Sequence, residues 1–346
     1  VGNSGTSMRL MAGLLSAQAF DTELTGDQSL RGRPMGRVID PLQAMGAQIE
    51  SNEGRAPLKI KGGQDLQGIE YAMPVASAQI KSCLLLAGLY ARGETVVIEP
   101  GPSRDHSERM LRAFGYELQQ MEGRVSLHGG GKLSSCDITV PNDISSATFF
   151  MLGAAIVPGS ELLLTNVGVN STRTGVIDIL RLMGAELKLE NQREQGGEPV
   201  ADIRVRGGEL RGIQIPPELV PLAIDEFPAV FVAAACAKGE TVLTEAAELR
   251  VKESDRIQVM ADGLQALGIE AETRPDGIRI VGGEIQSGRV QSHGDHRIAM
   301  SFAMAALRAT GDIHIEDCAN VNTSFPGFAQ LANNTGLTLE IVEAGQ

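Results

Sequence analysis

Residues 42–49 read LQAMGAQI, and the pattern returns as LRAFGYEL at 111–118, LRLMGAEL at 180–187 and LQALGI at 264–269, with a looser copy, LANNTG, at 331–336. In each, a leucine-led helix stops at a glycine and leads into a strand. Glycine enters the left-handed conformation without a steric penalty, so a glycine at the same place in every copy reads as a helix stop. The glycines fall at 46, 115, 184, 268 and 336, at intervals of 69, 69, 84 and 68 residues. A period of this kind marks one supersecondary unit used several times.

A second pattern interleaves with the first. A helix of small apolar residues, a glycine and an alternating strand occur at 79–92 before Gly93, 147–158 before Gly159, 228–238 before Gly239 and 298–310 before Gly311, and residues 5–19 resemble another copy. These helices are apolar nearly all round, which requires protein on every side, whereas the glycine-stopped helices carry charged faces. Paired glycines at 62–63, 129–130, 207–208 and 282–283 read as turns between short strands. Each unit is therefore expected to run buried helix, strand, surface helix, strand, glycine turn, strand. The fold class is α/β, two domains of repeats whose buried helices are enclosed by sheets. Five copies in a two-domain repeat leave one unpaired, and 69 residues before Gly46 lies ahead of residue 1. The expectation is a missing N-terminal unit, with a two-unit domain at 1–141 and a three-unit domain at 142–346.

Composition narrows the function. At 346 residues the chain exceeds what one core serves well, and its net charge of −13 argues against nucleic acid or an anionic membrane surface as the main partner. No apolar run is long enough to span a bilayer. The four cysteines, at 83, 136, 236 and 318, form no CxxC pair, so a disulfide framework or a zinc site is not expected and a reducing, cytoplasmic setting fits. The chain opens at Val1 with neither an initiator Met nor a targeting segment. Glycine numbers 41 against 9 Phe, 3 Tyr and no Trp, which implies many turns and a core of small aliphatics.

Against this negative balance, cations cluster where helices begin. Arg31, Arg33 and Arg37 surround the start of the helix containing Leu42, Arg104 and Arg109 flank the next, and Arg250, Lys252 and Arg256 crowd the helix leading to Gly268. Arg297 falls in the first turn of a buried helix with Asp295 as its N-cap. Helix N-termini already carry partial positive charge, so cations repeated there in register point to sites for small polyanions. For any single arginine, salt bridging to acids such as Glu253 and Asp255 is the simpler explanation.

Polar residues also open the buried helices, at Ser4-Gly5-Thr6, Ser77-Ala78-Gln79, Ser145-Ser146, Asp225-Glu226 and Asp295-His296-Arg297. Asp225 sits in an apolar stretch, where burial raises and a cation lowers the pKa of a carboxylate, so it is either an acid/base group or an N-cap. His293, His296 and Asp295 match zinc spacings poorly. Cys83 and Cys236 read as packing residues, His106, His128 and His314 as residues without a role, and Arg173 as an echo of the repeat. No GxGxxG or P-loop lysine motif supports nucleotide binding.

Taken together, GNSGTSMR at 2–9, RPM at 33–35, SAQ at 77–79, RDH at 104–106, IDE at 224–226, RVKESDR at 250–256, GDHR at 294–297 and SFP at 324–326 resemble the 5-enolpyruvylshikimate-3-phosphate synthases, in the family's order and over nearly the whole chain. The Ser-Ala-Gln and Arg-Asp-His forms resemble the bacterial class II branch. The resemblance implies two domains of three βαβαββ units closing on substrate. It implies transfer of the enolpyruvyl group of phosphoenolpyruvate to shikimate 3-phosphate with release of phosphate, in aromatic amino-acid synthesis, without metal or organic cofactor; the expected state is a monomer that could need the missing N-terminal segment. Ser77, Gln79 and Arg104, with the Ala78 backbone, would hold shikimate 3-phosphate. Arg33, Arg256 and Arg297, with Gln79 and His296, would clamp phosphoenolpyruvate. Asp225 would take the proton of the attacking hydroxyl, Lys252 would stabilise that oxygen or a phosphate, and Glu253 would move the proton at the methylene carbon. Gly5, beside Thr6, occupies the position that governs admission of glyphosate, and glycine there implies sensitivity.

The chain departs from the family twice. The family's N-terminal Lys-Ser motif and following arginine do not occur, and Thr323 stands where many members have a lysine, as class II members allow. The expectation is a truncated form that folds poorly alone or has little activity. Two other enzyme readings fit less well. The sister family acting on UDP-N-acetylglucosamine has a cysteine in a mobile glycine-rich loop, and no cysteine here is so placed; RNA 3′-phosphate cyclase is disfavoured by the charge. A fragment that binds shikimate 3-phosphate without turnover, or that needs its missing segment in trans, is the alternative from outside catalysis.

Overall fold

A computed structural model describes residues 1–342. The first copy consists of α1 (Gly5–Leu15), β1 (Thr22–Leu24), a short α2 (Gln28–Gly32), α3 (Gly36–Ala44), β2 (Gln48–Asn52) and β3 (Arg55–Lys61). The second runs β4 (Glu70–Ala72), α4 (Ala78–Gly88), β5 (Glu94–Ile98), α5 (His106–Ala113), β6 (Gln119–Met121) and β7 (Arg124–His128). The third has α6 (Ile144–Ile156), β8 (Glu161–Gly168), α7 (Gly175–Leu182), β9 (Glu186–Gln195) and β10 (Glu198–Arg206). The fourth has α8 (Phe227–Cys236), β11 (Glu240–Leu243), α9 (Arg256–Ala266), β12 (Glu270–Arg274) and β13 (Gly277–Val281). The fifth comprises β14 (Gly288–Gln291), α10 (His296–Ala305), β15 (Ile313–Glu316), α11 (Asn320–Ser324) and α12 (Phe328–Asn334).

The sheets repeat as the helices do. The strand after the inner helix pairs antiparallel with the last strand of the copy, which pairs with the middle one, giving β1-β3-β2, β5-β7-β6, β8-β10-β9 and β11-β13-β12. An opening strand runs parallel to the one after the inner helix as β4 on β5 and β14 on β15. In the third and fourth copies it is reduced to isolated bridges, Asn142 to Val167 in the third and Arg211 to Lys238 and Gln214 to Val242 in the fourth. Each full unit is thus βαβαββ.

The helix stops are as the sequence implies. Gly46, Gly115, Gly184, Gly268 and Gly336 all have positive φ, between 75° and 105°. In every copy the amide after that glycine donates to a carbonyl five residues back, as Ala47 does to Leu42 and Tyr116 to Leu111, which closes the helix with a Schellman turn. The paired glycines are a correction. The hairpins turn instead at residues 53–54, 122–123, 196–197 and 275–276, and the pairs follow the last strand of each copy. There the first glycine presses on the backbone just beyond the inner helix. A Cβ at Gly207 would lie 1.8 Å from the Val157 carbonyl oxygen, and one at Gly282 1.7 Å from that of Ala237. The first glycine of each pair permits close approach of two backbones, and of the four pairs Gly129-Gly130 also forms a turn.

The described residues form two compact units, Val1–Thr139 with Gly196–Glu198, and Val140–Gln195 with the chain from Pro199 onward. Each has its own apolar core. In the second unit α6, α8 and α10 pack on one another, and twelve of the thirteen α6 residues are buried. In the first unit α1 packs on α4, with Gly13 against the Cys83 backbone, but only Gly5, Met8, Ala12 and Gly13 of α1 are buried. Two inner helices cannot enclose each other as three do, so α1 buries one stripe and not its full circumference.

Candidate active site

In the first unit the polar residues gather where α1 and α4 begin. Ser4 caps α1 by accepting the Ser7 amide at 3.1 Å, and Ser77 caps α4 by accepting that of Ile80 at 3.4 Å. Gln79, in the first turn of α4, donates to Thr6 Oγ1 at 2.9 Å and accepts from Arg9 Nη1 at 2.6 Å. Arg9 Nη2 also donates to the Pro34 carbonyl at 3.2 Å, and Arg33 Nη2 donates to Asn3 Oδ1 at 2.8 Å. A Cβ on Gly5 would meet Arg9 Nη1 at 3.1 Å and Arg33 Nη1 at 3.4 Å, so glycine leaves these guanidinium groups room. Burial, with Arg33 and Arg37 nearby, pulls the Arg9 pKa below its ordinary value. Repulsion among guanidinium groups of this kind is relieved by an anion. Ala78 is the first residue of α4, and Arg104 lies part-buried in the segment before α5.

In the second unit the inner helix ends and the turn before α9 carry the charges. Arg256 opens α9 and is 1% exposed. Its Nε donates to Asp295 Oδ2 at 2.8 Å, its Nη2 donates to Glu253 Oε2 at 2.6 Å, and its Nη1 lies 3.6 Å from Asp225 Oδ1. Burial pulls this guanidinium pKa down, and Asp295, Glu253 and Asp225 together outweigh it and hold the pKa above the ordinary value. Lys252 Nζ lies 3.5 Å from Asp225 Oδ1 and donates to Glu248 Oε1 at 2.6 Å. Asp225 is not an N-cap, since Glu226 occupies that position of α8 without a side-chain cap bond. Its carboxylate instead sits between an ammonium and a guanidinium. Asp295 caps α10, accepting the Arg297 amide at 3.0 Å and the Ser254 hydroxyl at 3.1 Å. His296 is held below its ordinary pKa of 6.5, first by burial and then by Arg297.

Arg297 Nη1 donates to the Asp225 carbonyl at 3.1 Å and lies 3.5 Å from Glu226 Oε1. Glu226 accepts from Ser145 Oγ, which accepts from Arg173 Nη2 at 2.7 Å. Arg173 also lies 3.0 Å from Asp143 Oδ1. The cap of α6 is Asp143, not Ser145-Ser146, because the helix begins at Ile144. Arg250 departs from the anion reading, since its donors go to the carbonyls of Pro275 and Arg274 and to Asp255, tying its segment to the β12–β13 turn. Arg9, quoted only within the motif at 2–9, and Arg173, read as an echo of the repeat, are the residues to which sequence reasoning gave no role. Arg9 carried a signal, lying four residues after Gly5 on α1 and so on the same helical face; Arg173 carried none, because its partners lie far away in the sequence. Burial pushes the thiols of Cys83 and Cys236 up to about 12, so neither is a nucleophile. Among the described residues no group of three or more His, Cys, Asp or Glu could hold a metal ion, and no helix is long and apolar enough to cross a membrane.

Repeated α/β units whose inner helix ends gather guanidinium groups, with a carboxylate set between Lys252 and Arg256, define an enzyme class that handles small polyanions with acid/base chemistry. The comparisons narrow the class to one family. The family model for EPSP synthase (3-phosphoshikimate 1-carboxyvinyltransferase) matches residues 1–331. The chain is 66% identical over 341 residues to the 3-phosphoshikimate 1-carboxyvinyltransferase of Alkalilimnicola ehrlichii, covering 98% of this chain and 76% of that one. It is 66% identical over 342 residues to that of Methylococcus capsulatus, covering 99% and 78%. A solved structure of EPSP synthase from Acinetobacter baumannii superposes with a TM-score of 0.91 at 59% identity, covering 99% of this chain and 79% of that one. The chain belongs to the EPSP synthase family, transferases of the shikimate pathway, and has the enolpyruvyl transferase fold.

Proposed function

We propose that this chain is a class II-like member that joins the enolpyruvyl group of phosphoenolpyruvate to the 5-hydroxyl of shikimate 3-phosphate, and that Asp225 is its acid/base centre. The observation that carries the reading is the Asp225 carboxylate, 3.5 Å from Lys252 and 3.6 Å from Arg256, with Glu253 on the same guanidinium. Two cations favour its ionised form, which is the form that accepts a proton.

Asp225 removes the hydroxyl proton as the oxygen bonds to C2 of phosphoenolpyruvate. Glu253, which starts protonated, delivers its proton to C3, and the methylene becomes a methyl group on a tetrahedral ketal phosphate. In the second half Glu253 takes a methyl proton back, the C2–O bond to phosphate breaks, and the leaving phosphate receives the proton held by Asp225. The hydroxyl proton thus ends on phosphate, and both carboxylates return to their starting state. Lys252 stabilises charge on the reacting oxygen or the phosphate. Arg256, His296 and Arg297 hold the phosphate and carboxylate of phosphoenolpyruvate, guanidinium forks matching both groups. Arg33 and Gln79 keep the assignment to phosphoenolpyruvate that the family pattern gives them. Ser77, the Ala78 amide, Gln79 and Arg104 take shikimate 3-phosphate, with Gly5 and Thr6 bordering the Arg9–Gln79 contact. The roles that the family's Lys-Ser motif carries are assigned to no residue of this chain.

The experiment is release of inorganic phosphate from phosphoenolpyruvate with and without shikimate 3-phosphate. Release that requires shikimate 3-phosphate is expected. Release without it, or with UDP-N-acetylglucosamine in its place, would overturn the assignment.

A further inference from the structure

The segment between β5 and α5 carries Arg104, and a buried charge cluster holds both of its ends. Lys81, one turn into α4, is 1% exposed. Its Nζ lies 3.0 Å from Oε2 of Glu99, the residue after β5, and 2.7 Å from Oε1 of Glu108, in the first turn of α5. Glu108 is fully buried. One ammonium therefore ties the two residues that bracket 100–107 to the helix that begins behind Ser77. Two hydroxyl contacts close the arrangement: Ser103, next to Arg104, donates to Glu99 Oε1, and Ser107 donates to Ser82 Oγ at 2.6 Å.

Two carboxylates about one buried ammonium are a costly way to fill a core. Apolar side chains of similar volume usually serve stability as well or better, because they carry no desolvation penalty. Burial pushes the Glu108 pKa up against the pull of Lys81, as expected of a group that packing alone would not select. What the cluster provides is a fixed separation between the first turn of α4 and the segment carrying Arg104.

We propose that Lys81, Glu99 and Glu108 are positioning residues for the shikimate 3-phosphate site, holding the Arg104 segment in register with Ser77–Gln79. The proposal rests on the reading of Arg104 as a ligand of that substrate, and a double-mutant cycle separates the two. Affinity for shikimate 3-phosphate is measured by calorimetry in Glu99→Ala, Glu99→Gln, Arg104→Ala and the Glu99→Ala/Arg104→Ala pair, with thermal unfolding recorded for each. Glu99→Ala, which frees the Ser103 hydroxyl and one side of Lys81, should weaken binding about tenfold, and Glu99→Gln, whose amide oxygen accepts from Lys81 while its NH2 donates to the Ser103 hydroxyl, should stay within about twofold of the parent. In the Arg104→Ala background, adding Glu99→Ala should cost no more than about twofold. The KM for phosphoenolpyruvate should hold throughout the Glu99 variants. Additive losses, an equal rise in both substrates' constants, or unchanged affinity in Glu99→Ala would overturn the positioning role. An Arg104→Ala variant with parental affinity would instead overturn the ligand assignment of Arg104.

Discussion

At the scale of single residues, the second unit is organised by Arg256. Three carboxylates converge on one buried guanidinium, and Asp295 is itself 0% exposed. Removing the cation leaves Asp295 buried and unpaired by it, which is more costly than loss of one contact. Arg256→Met should therefore lower stability by about 3–5 kcal/mol in urea unfolding. A loss below about 1 kcal/mol would mean that Asp295 finds water or another donor. His296 gives a second prediction. Its neutral form is favoured in the folded chain by burial and by Arg297. Below the ordinary histidine pKa the unfolded chain binds a proton that the folded one refuses, so this residue makes stability fall as pH drops through about 6.5. The fall ends at the lower pKa of the folded state. An NMR titration should place the His296 imidazole below 6.5, and His296→Gln should flatten that part of the stability curve; an imidazole titrating above 6.5 would contradict the electrostatic picture.

At the scale of elements, repetition made the fold legible. A Schellman stop is local, since the glycine and the carbonyl it helps to satisfy lie within six residues, and five such stops in register revealed the unit. The paired glycines were visible but their purpose was not. Val157 precedes Gly207 by one βαββ length, and no sequence pattern shows that their backbones touch. That contact yields a paired test. Gly207→Ala would place a Cβ 1.8 Å from the Val157 carbonyl oxygen, whereas Gly208→Ala meets nothing within 4 Å. The first should cost about 1–3 kcal/mol and the second stay within about 0.5 kcal/mol, read as thermal midpoints. Equal effects would show that the approach relaxes freely. The site was legible to a similar degree. The proposed acid/base carboxylate and the cations beside it fall within short motifs, so Asp225, Lys252, Glu253 and Arg256 could be named; the chain Arg297–Glu226–Ser145–Arg173 is assembled from four separated elements and could not.

At the scale of the molecule, a chain of net charge −13 keeps guanidinium groups at the helix ends that the proposed substrates approach. Attraction of a polyanion to such islands weakens as salt shortens the screening length, from about 10 Å at 0.1 M to about 3 Å at 1 M. The KM for both substrates should rise with ionic strength; constants that do not move would argue that binding depends on shape alone. The proposed chemistry, however, turns on one carboxylate. It is tested most directly by comparing Asp225→Ala with the parent for turnover and for calorimetric binding of shikimate 3-phosphate. Turnover should fall by about 10²–10⁴-fold while binding stays within about tenfold. Turnover that survives the substitution would remove Asp225 from the mechanism.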